Sequence, residues 1–144
     1  MSTVLAFDFG AARIGVAMGS TELGIPHPVE TIAATDNDTR FSRIEALIRE
    51  WQPTQLVVGL PLTEDGEEQD SSRLARKFAN RLHGRFSLPV ALVDERYTSA
   101  AASEALNQSG LKGRKQKTAL DQVAAMQILQ SYFDAPPALS PLVE

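Results

Sequence analysis

The stretch VLAFDFGAARIGVA, residues 4–17, decides the fold of this chain. Apolar side chains dominate residues 3–9 and alternate with others, as in a mostly buried strand. The residues GAAR then predict a turn, and the apolar run after them predicts a second strand that returns beside the first. Asp8 lies inside the first strand, where an unpaired carboxylate costs free energy. The hairpin therefore predicts a partner for Asp8: phosphate, a metal ion or a salt bridge.

Beyond this hairpin, hydrophobic periodicity predicts further strands and helices. Strands are expected at 27–33, 55–60 and 88–95, the first of them at a sheet edge because of its prolines. The basic segment GLKGRKQK, residues 110–117, is predicted to be a loop. Helices are expected in four places: before Pro53, from Asp70 or Ser71 through Phe86, from Thr98 to near Gly110, and from about Thr118 to Phe133.

The predicted element order is βββ-α-β-α-β-α-α, which indicates an α/β fold. Right-handed crossovers place the later strands beside the first one. We therefore expect a five-stranded mixed sheet of order 3-2-1-4-5, with helices on both faces. Residues 1–134 are expected to form one domain, and the proline-containing residues 135–144 a flexible C-terminal tail.

Composition narrows the class of protein. The 144 residues suit one domain, and 43% hydrophobic with 22% charged residues is typical of a globular chain. The net charge of −4 gives no overall signature of nucleic-acid binding, so a polyanion would need a local basic patch. The absence of cysteine excludes disulfides, zinc–thiolate sites and cysteine nucleophiles. No signal peptide and no apolar run of ~18 residues are evident, so a cytoplasmic location without membrane association is expected.

Three acids from distant parts of the chain are predicted to meet. Asp8 and Glu95 lie at the carboxyl ends of strands, where α/β sheets build their sites. Asp121 shares a helix face with alanines that let this face approach the sheet. Converging carboxylates repel each other and raise one another's pKa unless a cation intervenes. A hard divalent ion, Mg²⁺ or Mn²⁺, is the expected partner of such an oxygen cluster.

Each acid also has an ordinary structural alternative. Asp8 could accept backbone hydrogen bonds in the turn at Gly10, and Glu95 could form a salt bridge with Arg96 or Arg13. Asp121 could be a first-turn acid that interacts with the helix dipole. The sheet order adds a geometric demand, because Glu95 lies two strands from Asp8, roughly 10 Å away. Its side chain must reach inward, or its strand must curl toward the first.

Basic residues concentrate in two segments, which predict a phosphate-binding surface. One is the second helix, where the ordinary alternative is a solvated helix face. The other is the loop before Asp121, which would hold a polyanionic backbone against bound metal. The predicted nucleic-acid contacts are Arg13, Arg73, Arg76, Lys77, Arg96, Lys112, Arg114, Lys115 and Lys117.

Four blocks of the sequence resemble one known family. They are FDFGAARIGVA (7–17), VVGLPLTEDGEEQ (57–69), DERYTS (94–99) and KTALDQVAAMQILQSYF (117–133). In order and spacing they are similar to the signature blocks of the YqgF/RuvX family, and the likeness spans residues 4–133. Two dipeptides depart from the family pattern: many relatives have Thr-Lys where this chain has Ala11-Ala12, and Ser-Asp where it has Gly19-Ser20.

The resemblance implies a ribonuclease-H-like nuclease that matures the 5′ end of the 16S rRNA precursor. Asp8, Glu95 and Asp121 match the family's three acidic active-site positions, which implies metal-dependent phosphodiester hydrolysis with Mg²⁺ or Mn²⁺. Lys117 and Arg96 match basic positions, which implies contact with the scissile phosphate. The implied partner is pre-16S rRNA, on its own or on the pre-ribosome.

Other functions are also compatible with parts of this pattern. A Holliday-junction-type DNA nuclease would use the same acids in a two-fold symmetric dimer. A non-catalytic nucleic-acid-binding module would need the basic residues but not all three acids. A phosphotransferase of the actin and sugar-kinase type would need a second Asp-x-Gly hairpin, which the sequence lacks. Because no exposed apolar helix stripe is evident, we expect a monomer or a weak homodimer.

Overall fold

A computed structural model describes residues 2–63, 65–95 and 113–134, with the side chains of 113–119 outside the description. Within these residues the chain forms one five-stranded sheet and three helices. The strands are β1 (Thr3–Phe9), β2 (Arg13–Ser20), β3 (His27–Ala33), β4 (Gln55–Leu60) and β5 (Val90–Asp94). The helices are α1 (Asn37–Trp51), α2 (Asp70–Phe86) and α3 (Gly113–Asp134).

The strand order is β3-β2-β1-β4-β5, which confirms the predicted sheet. β1 pairs antiparallel with β2, and β2 antiparallel with β3. β4 and β5 continue the sheet in parallel with β1. The carboxyl ends of β1, β4 and β5 therefore lie at the same edge of the sheet.

Helices cover both faces of the sheet, as predicted. Alternate residues of each strand point to opposite faces, and each face has its own apolar core. Leu5 and Phe7 of β1 pack with α1 and α2 in the larger core. Val4 and Ala6 pack with Ala125, Ile128 and Leu129 of α3 in the smaller one. The next residue on the α3 side of β1 is Asp8, so the sheet aims this carboxylate at α3.

The last helix begins earlier than its sequence suggested. α3 starts at Gly113, whereas the prediction placed a loop at 110–117 and the helix start near Thr118. Lysine, arginine and glutamine are good helix formers, so the basic segment extends the helix. Asp121 consequently lies just over two turns into α3. Its reading as a first-turn acid is wrong.

Some predicted features lie outside the described residues. These are the helix expected at 98–110, the basic residues Arg96 and Lys112, and the tail at 135–144. β5 is shorter than the predicted 88–95 and ends at Asp94. Among the described helices, none combines the length and the apolar character needed to cross a bilayer.

Candidate active site

Asp8 stands between two glycines on the α3 face of the sheet. Gly15 of β2 lies directly opposite it. Gly59 of β4 follows Val58, which pairs with Phe7. Burial raises the pKa of the Asp8 carboxyl to about 7, and the nearby Asp121 carboxylate contributes to this rise. No residue in the described part of the chain donates a hydrogen bond to the Asp8 side chain, so acceptance from the Gly10 turn does not explain its position.

Glu95 reaches Asp8 across the glycine of the intervening strand. It follows Val93 by two residues and so continues the α3 face of β5. A Cβ added to Gly59 would lie 2.9 Å from both Cδ and Oε2 of Glu95. The carboxylate therefore occupies the space that a side chain on β4 would fill. Burial raises the pKa of Glu95 to about 8, with the charges of Asp8 and Asp94 adding to the effect.

This arrangement answers the geometric demand raised by the strand order. One strand, β4, lies between Asp8 and Glu95, and the absence of a side chain at Gly59 lets the longer side chain of Glu95 extend toward β1. The backbone amide of Glu95 also donates to the carbonyl of Leu60 at 3.2 Å, which ties its position to the end of β4. The Glu95 side chain reaches inward while its strand does not curl, and this brings the two carboxylates close enough for their charges to interact.

Asp121 approaches from α3 over the second glycine. A Cβ added to Gly15 would overlap the backbone carbonyl of Asp121 and come within 3.0 Å of its Cβ, so only glycine permits this packing. The Asp121 side chain is 17% exposed and accepts a hydrogen bond from Nε of Arg13 at 2.5 Å. Arg13 thus pairs with Asp121, and the structural alternative in which Glu95 forms a salt bridge with Arg13 is wrong.

The three acids are close but do not form a closed metal centre as they stand. Among the described residues, no three His, Cys, Asp or Glu side chains are grouped tightly enough to hold a metal ion. The donor chemistry still fits a hard divalent cation, because the acids supply only carboxylate oxygens. Asp8 and Glu95 have raised pKa values and no cationic partner in the described part of the chain. Asp121 already has one in Arg13.

Arg40 supports the site from the other face of the sheet, a role that no sequence pattern indicates. It is only 4% exposed although it lies in α1. Its guanidinium donates to the carbonyls of Gly10, at 2.9 Å, and of Ala11, in the turn between β1 and β2. It also donates to the carbonyl of Ala34 at 2.6 Å and lies 5.3 Å from the centre of the Phe9 ring. Arg40 therefore fixes the turn that separates Asp8 from Arg13.

Replacing Arg40 with methionine is expected to lower the free energy of unfolding by ~2–4 kcal/mol, because three carbonyls lose a charged donor. Urea unfolding at pH 7 measures this change. Arg49→Met is the matched control, since Arg49 makes only an exposed i,i+4 pair with Glu45 and should cost below ~0.5 kcal/mol. Equal losses in the two variants would contradict the role of Arg40 in the turn.

The basic residues of α2 differ in whether they form ion pairs. Arg73 forms an ion pair with Asp70, and Arg76 pairs with Glu68 at 2.6 Å. Lys77 is exposed and makes no ion pair within the described residues. The predicted contacts at Arg114, Lys115 and Lys117 lie in the first turns of α3, just before Asp121.

Comparisons with known proteins find a family model that matches most of the chain and relatives that are named as nucleases. Residues 2–135 match a family described as "RuvX: Holliday junction resolvase". A Chromobacterium violaceum protein is 62% identical over 133 residues, which cover 92% of this chain and 97% of the relative. A Methylobacillus flagellatus protein is 63% identical over 131 residues, covering 91% of this chain and 90% of the relative. Both carry the name "Putative pre-16S rRNA nuclease".

A solved structure supports the fold assignment. The Thermus thermophilus RuvC protein, solved in complex with a Holliday junction substrate, superposes with a TM-score of 0.53 at 15% sequence identity. The alignment covers 94% of this chain and 95% of the RuvC chain. This similarity assigns the ribonuclease-H-like fold that the sequence blocks implied.

Proposed function

This chain belongs to the RuvX family, and we propose that it is a divalent-metal-dependent nuclease that hydrolyses RNA phosphodiester bonds. Its substrate is the 16S rRNA precursor, whose 5′ end it matures during ribosome biogenesis in the cytoplasm. One observation carries the catalytic part of the proposal. Asp8 is a half-buried carboxylate between two glycines, close enough to Asp121 and Glu95 for charge repulsion to raise pKa values. The names of the relatives support the choice of RNA substrate.

Asp8, Glu95 and Asp121 would hold the ion, Mg²⁺ or Mn²⁺, and thereby act as the catalytic acids. When bound, such ions activate a water molecule and stabilise the leaving oxygen of a phosphodiester. The chain supplies fixed carboxylates, because Gly59 and Gly15 let Glu95 and Asp121 approach Asp8. A cation held by Asp8 and Glu95 would offset the repulsion and the burial penalty that keep their pKa values high. At neutral pH and below, the site would therefore gain its full negative charge only with a cation bound.

Arg13 is a second participant in this proposal. It neutralises Asp121, and if Asp121 served as a metal ligand, the Arg13 guanidinium would become available to bind a substrate phosphate. A planar guanidinium suits bidentate phosphate binding. The same proposal assigns RNA backbone contacts to Arg73, Arg76, Lys77, Arg96, Lys112, Arg114, Lys115 and Lys117. We place the nuclease domain at residues 1–134 and propose a monomer or weak homodimer.

A second candidate function is cleavage of branched DNA. The family description names Holliday junctions, and the same acids serve RNA and DNA chemistry alike. A binding module without catalysis is the third candidate, and it would not need the paired carboxylates around Asp8. Substrate and turnover therefore have to be tested together.

The test offers wild-type protein a labelled RNA spanning the 16S 5′ end and a four-way DNA junction, each with Mn²⁺, Mg²⁺ or EDTA. We expect metal-dependent cleavage of the RNA and none in EDTA. Preferential cutting of the junction would support metal-dependent hydrolysis but contradict the assignment of RNA as the substrate. Tight binding without cleavage of either substrate in any metal would contradict the assignment of enzymatic activity and favour the binding module.

A further inference from the structure

A small cavity lies on the side of the sheet opposite the three acids. Its volume is about 100 Å³, and the rings of Phe9, Phe41 and Phe78 form its walls. The Phe9 and Phe78 rings stack with their centres 4.7 Å apart, and the Phe41 ring lies 5.9 Å from that of Phe78. Because Phe41 and Phe78 are anchored in the larger core, the cavity is a fixed part of the fold.

The mouth of the cavity combines one exposed apolar side chain with two cations. Leu74, Lys77 and Arg81 line it, and Leu74 is 50% exposed. Their spacing of three and four residues places them along one side of α2. Within the described residues, Lys77 and Arg81 form no ion pair, whereas Arg73 pairs with Asp70 and thus has its charge balanced.

The position of the cavity relates it to the acids. Phe9 follows Asp8 directly in β1, and the two side chains point to opposite faces of the sheet. Both therefore lie at the carboxyl end of the same strand. A nucleic-acid strand that crosses this edge with one phosphate at Asp8 brings a neighbouring nucleotide to the cavity.

We propose that the cavity is a subsite for one unpaired nucleotide of the substrate RNA. The base lies against the Phe9 and Leu74 side chains, and its phosphate is held by Lys77 and Arg81. Aromatic side chains bind single-stranded bases by stacking, and adjacent cations hold the backbone. The Asn37 amide, which also lines the cavity, is the group that can hydrogen-bond a base edge. The subsite rests on the proposed nuclease function and specifies a single-stranded segment beside the scissile bond.

The test measures binding of a fluorescein-labelled single-stranded RNA octamer by anisotropy in EDTA, so that cleavage does not intervene. The double variant Lys77→Ala/Arg81→Ala is compared with Arg43→Ala/Arg49→Ala, which removes the same charge from α1, where Arg43 pairs with Glu30 and Arg49 with Glu45. We expect roughly tenfold weaker binding in the first and less than about threefold in the second. The salt dependence of log K should also become shallower by about 1.4 in the first variant, as for two lost phosphate contacts on a single strand.

A second comparison tests the base-binding part. Leu74→Asp changes an exposed residue, so the fold should persist, and circular dichroism checks this. Wild-type protein should bind the octamer more tightly than an abasic version of it, and Leu74→Asp should remove that preference. Equal weakening in the two double variants, or no preference against the abasic strand in the wild type, would overturn the subsite.

Cleavage of the 16S precursor RNA in Mn²⁺ separates the two proposals. If the wild-type protein cleaves the RNA in a metal-dependent way but the Lys77→Ala/Arg81→Ala and Leu74→Asp variants bind the octamer as the wild type does, only the subsite proposal is wrong. The expected binding effects without any metal-dependent cleavage overturn the proposed function and, with it, the assignment of the cavity to a nuclease substrate.

Discussion

Asp8→Asn is expected to abolish metal-dependent cleavage and, at pH 8, to make the folded chain more stable than the wild type. Cleavage should fall by on the order of 10³-fold or more, the range seen when a residue that acts directly in catalysis is removed. The gain in stability has a separate origin, since asparagine carries no charge into the half-buried position between Gly15 and Gly59. The two effects together distinguish a functional carboxylate from a structural one, whose loss would destabilise the fold.

The pH dependence of this gain follows from linkage. Burial and Asp121 raise the pKa of Asp8 from 3.8 to about 7 in the folded chain. Between these values the folded state holds a proton that the unfolded state has lost, so wild-type stability falls as pH rises. The stability advantage of Asp8→Asn therefore grows from about pH 4 to about pH 7 and then stays constant, at on the order of 4 kcal/mol.

Urea unfolding of wild type and variant at pH 4.5, 6 and 8 in EDTA measures this trend. Asp38→Asn is the matched control, because Asp38 is exposed in the first turn of α1. It should leave both cleavage and the pH profile of stability unchanged. An Asp8→Asn protein that is less stable than the wild type at pH 8 would mean that Asp8 is held by interactions that favour its charge.

Gly59→Ala is expected to reduce cleavage by roughly 10²-fold, the loss that a displacement of about 1 Å causes at a catalytic group. The new Cβ would lie 2.9 Å from the Glu95 carboxylate and would overlap the end of the Ile128 side chain. The flexible Glu95 side chain gives way most easily, and it then moves away from Asp8. Its pKa should fall toward the ordinary range as burial and the Asp8 charge act on it less.

Gly84→Ala is the control for this substitution. Gly84 lies in α2, and nothing lies within 4 Å of a Cβ added there. Replacing a helical glycine with alanine should stabilise the chain by ~0.5–1 kcal/mol and leave cleavage intact. Steady-state cleavage rates, with thermal unfolding to confirm folding, compare the two variants. Full activity in a folded Gly59→Ala protein would mean that cleavage does not require Glu95 to approach Asp8 past Gly59.

The sequence predicted the sheet because local signals agreed with the global topology. The hairpin at 4–17 fixed the first two strands, and continuous apolar runs with intervening helical periodicity fixed the crossovers. Asp8 could be singled out because a carboxylate in an apolar strand conflicts with its surroundings. Such conflicts are the local inconsistencies that mark functional sites.

What the sequence could not predict depends on contacts between distant residues. A glycine in a strand signals a close approach, but nothing near Gly59 or Gly15 in sequence identifies Glu95 and Asp121 as the groups that approach. The pairing of Arg13 with Asp121 joins residues 108 positions apart. Arg40 is buried because the turn between β1 and β2 lies against α1. The helical periodicity of α1 does not predict this contact.

We propose that Asp8 and Glu95 bind one divalent cation together with Asp121. Proton release is the measure of this binding, because carboxyl groups must lose their protons to become ligands. Calorimetric titration with Mn²⁺ in buffers of different ionisation enthalpy counts the protons released per ion bound. Asp8→Asn and Asp38→Asn proteins are titrated beside the wild type.

With pKa values of about 7 and about 8 for Asp8 and Glu95, binding should release about two protons at pH 6 and well below one at pH 8.5. Asp8→Asn should weaken binding and release about one proton fewer at pH 6, while Asp38→Asn should match the wild type. Proton release that is near zero at both pH values, or unchanged in Asp8→Asn, would mean that the ion binds elsewhere and that Asp8 and Glu95 are not its ligands.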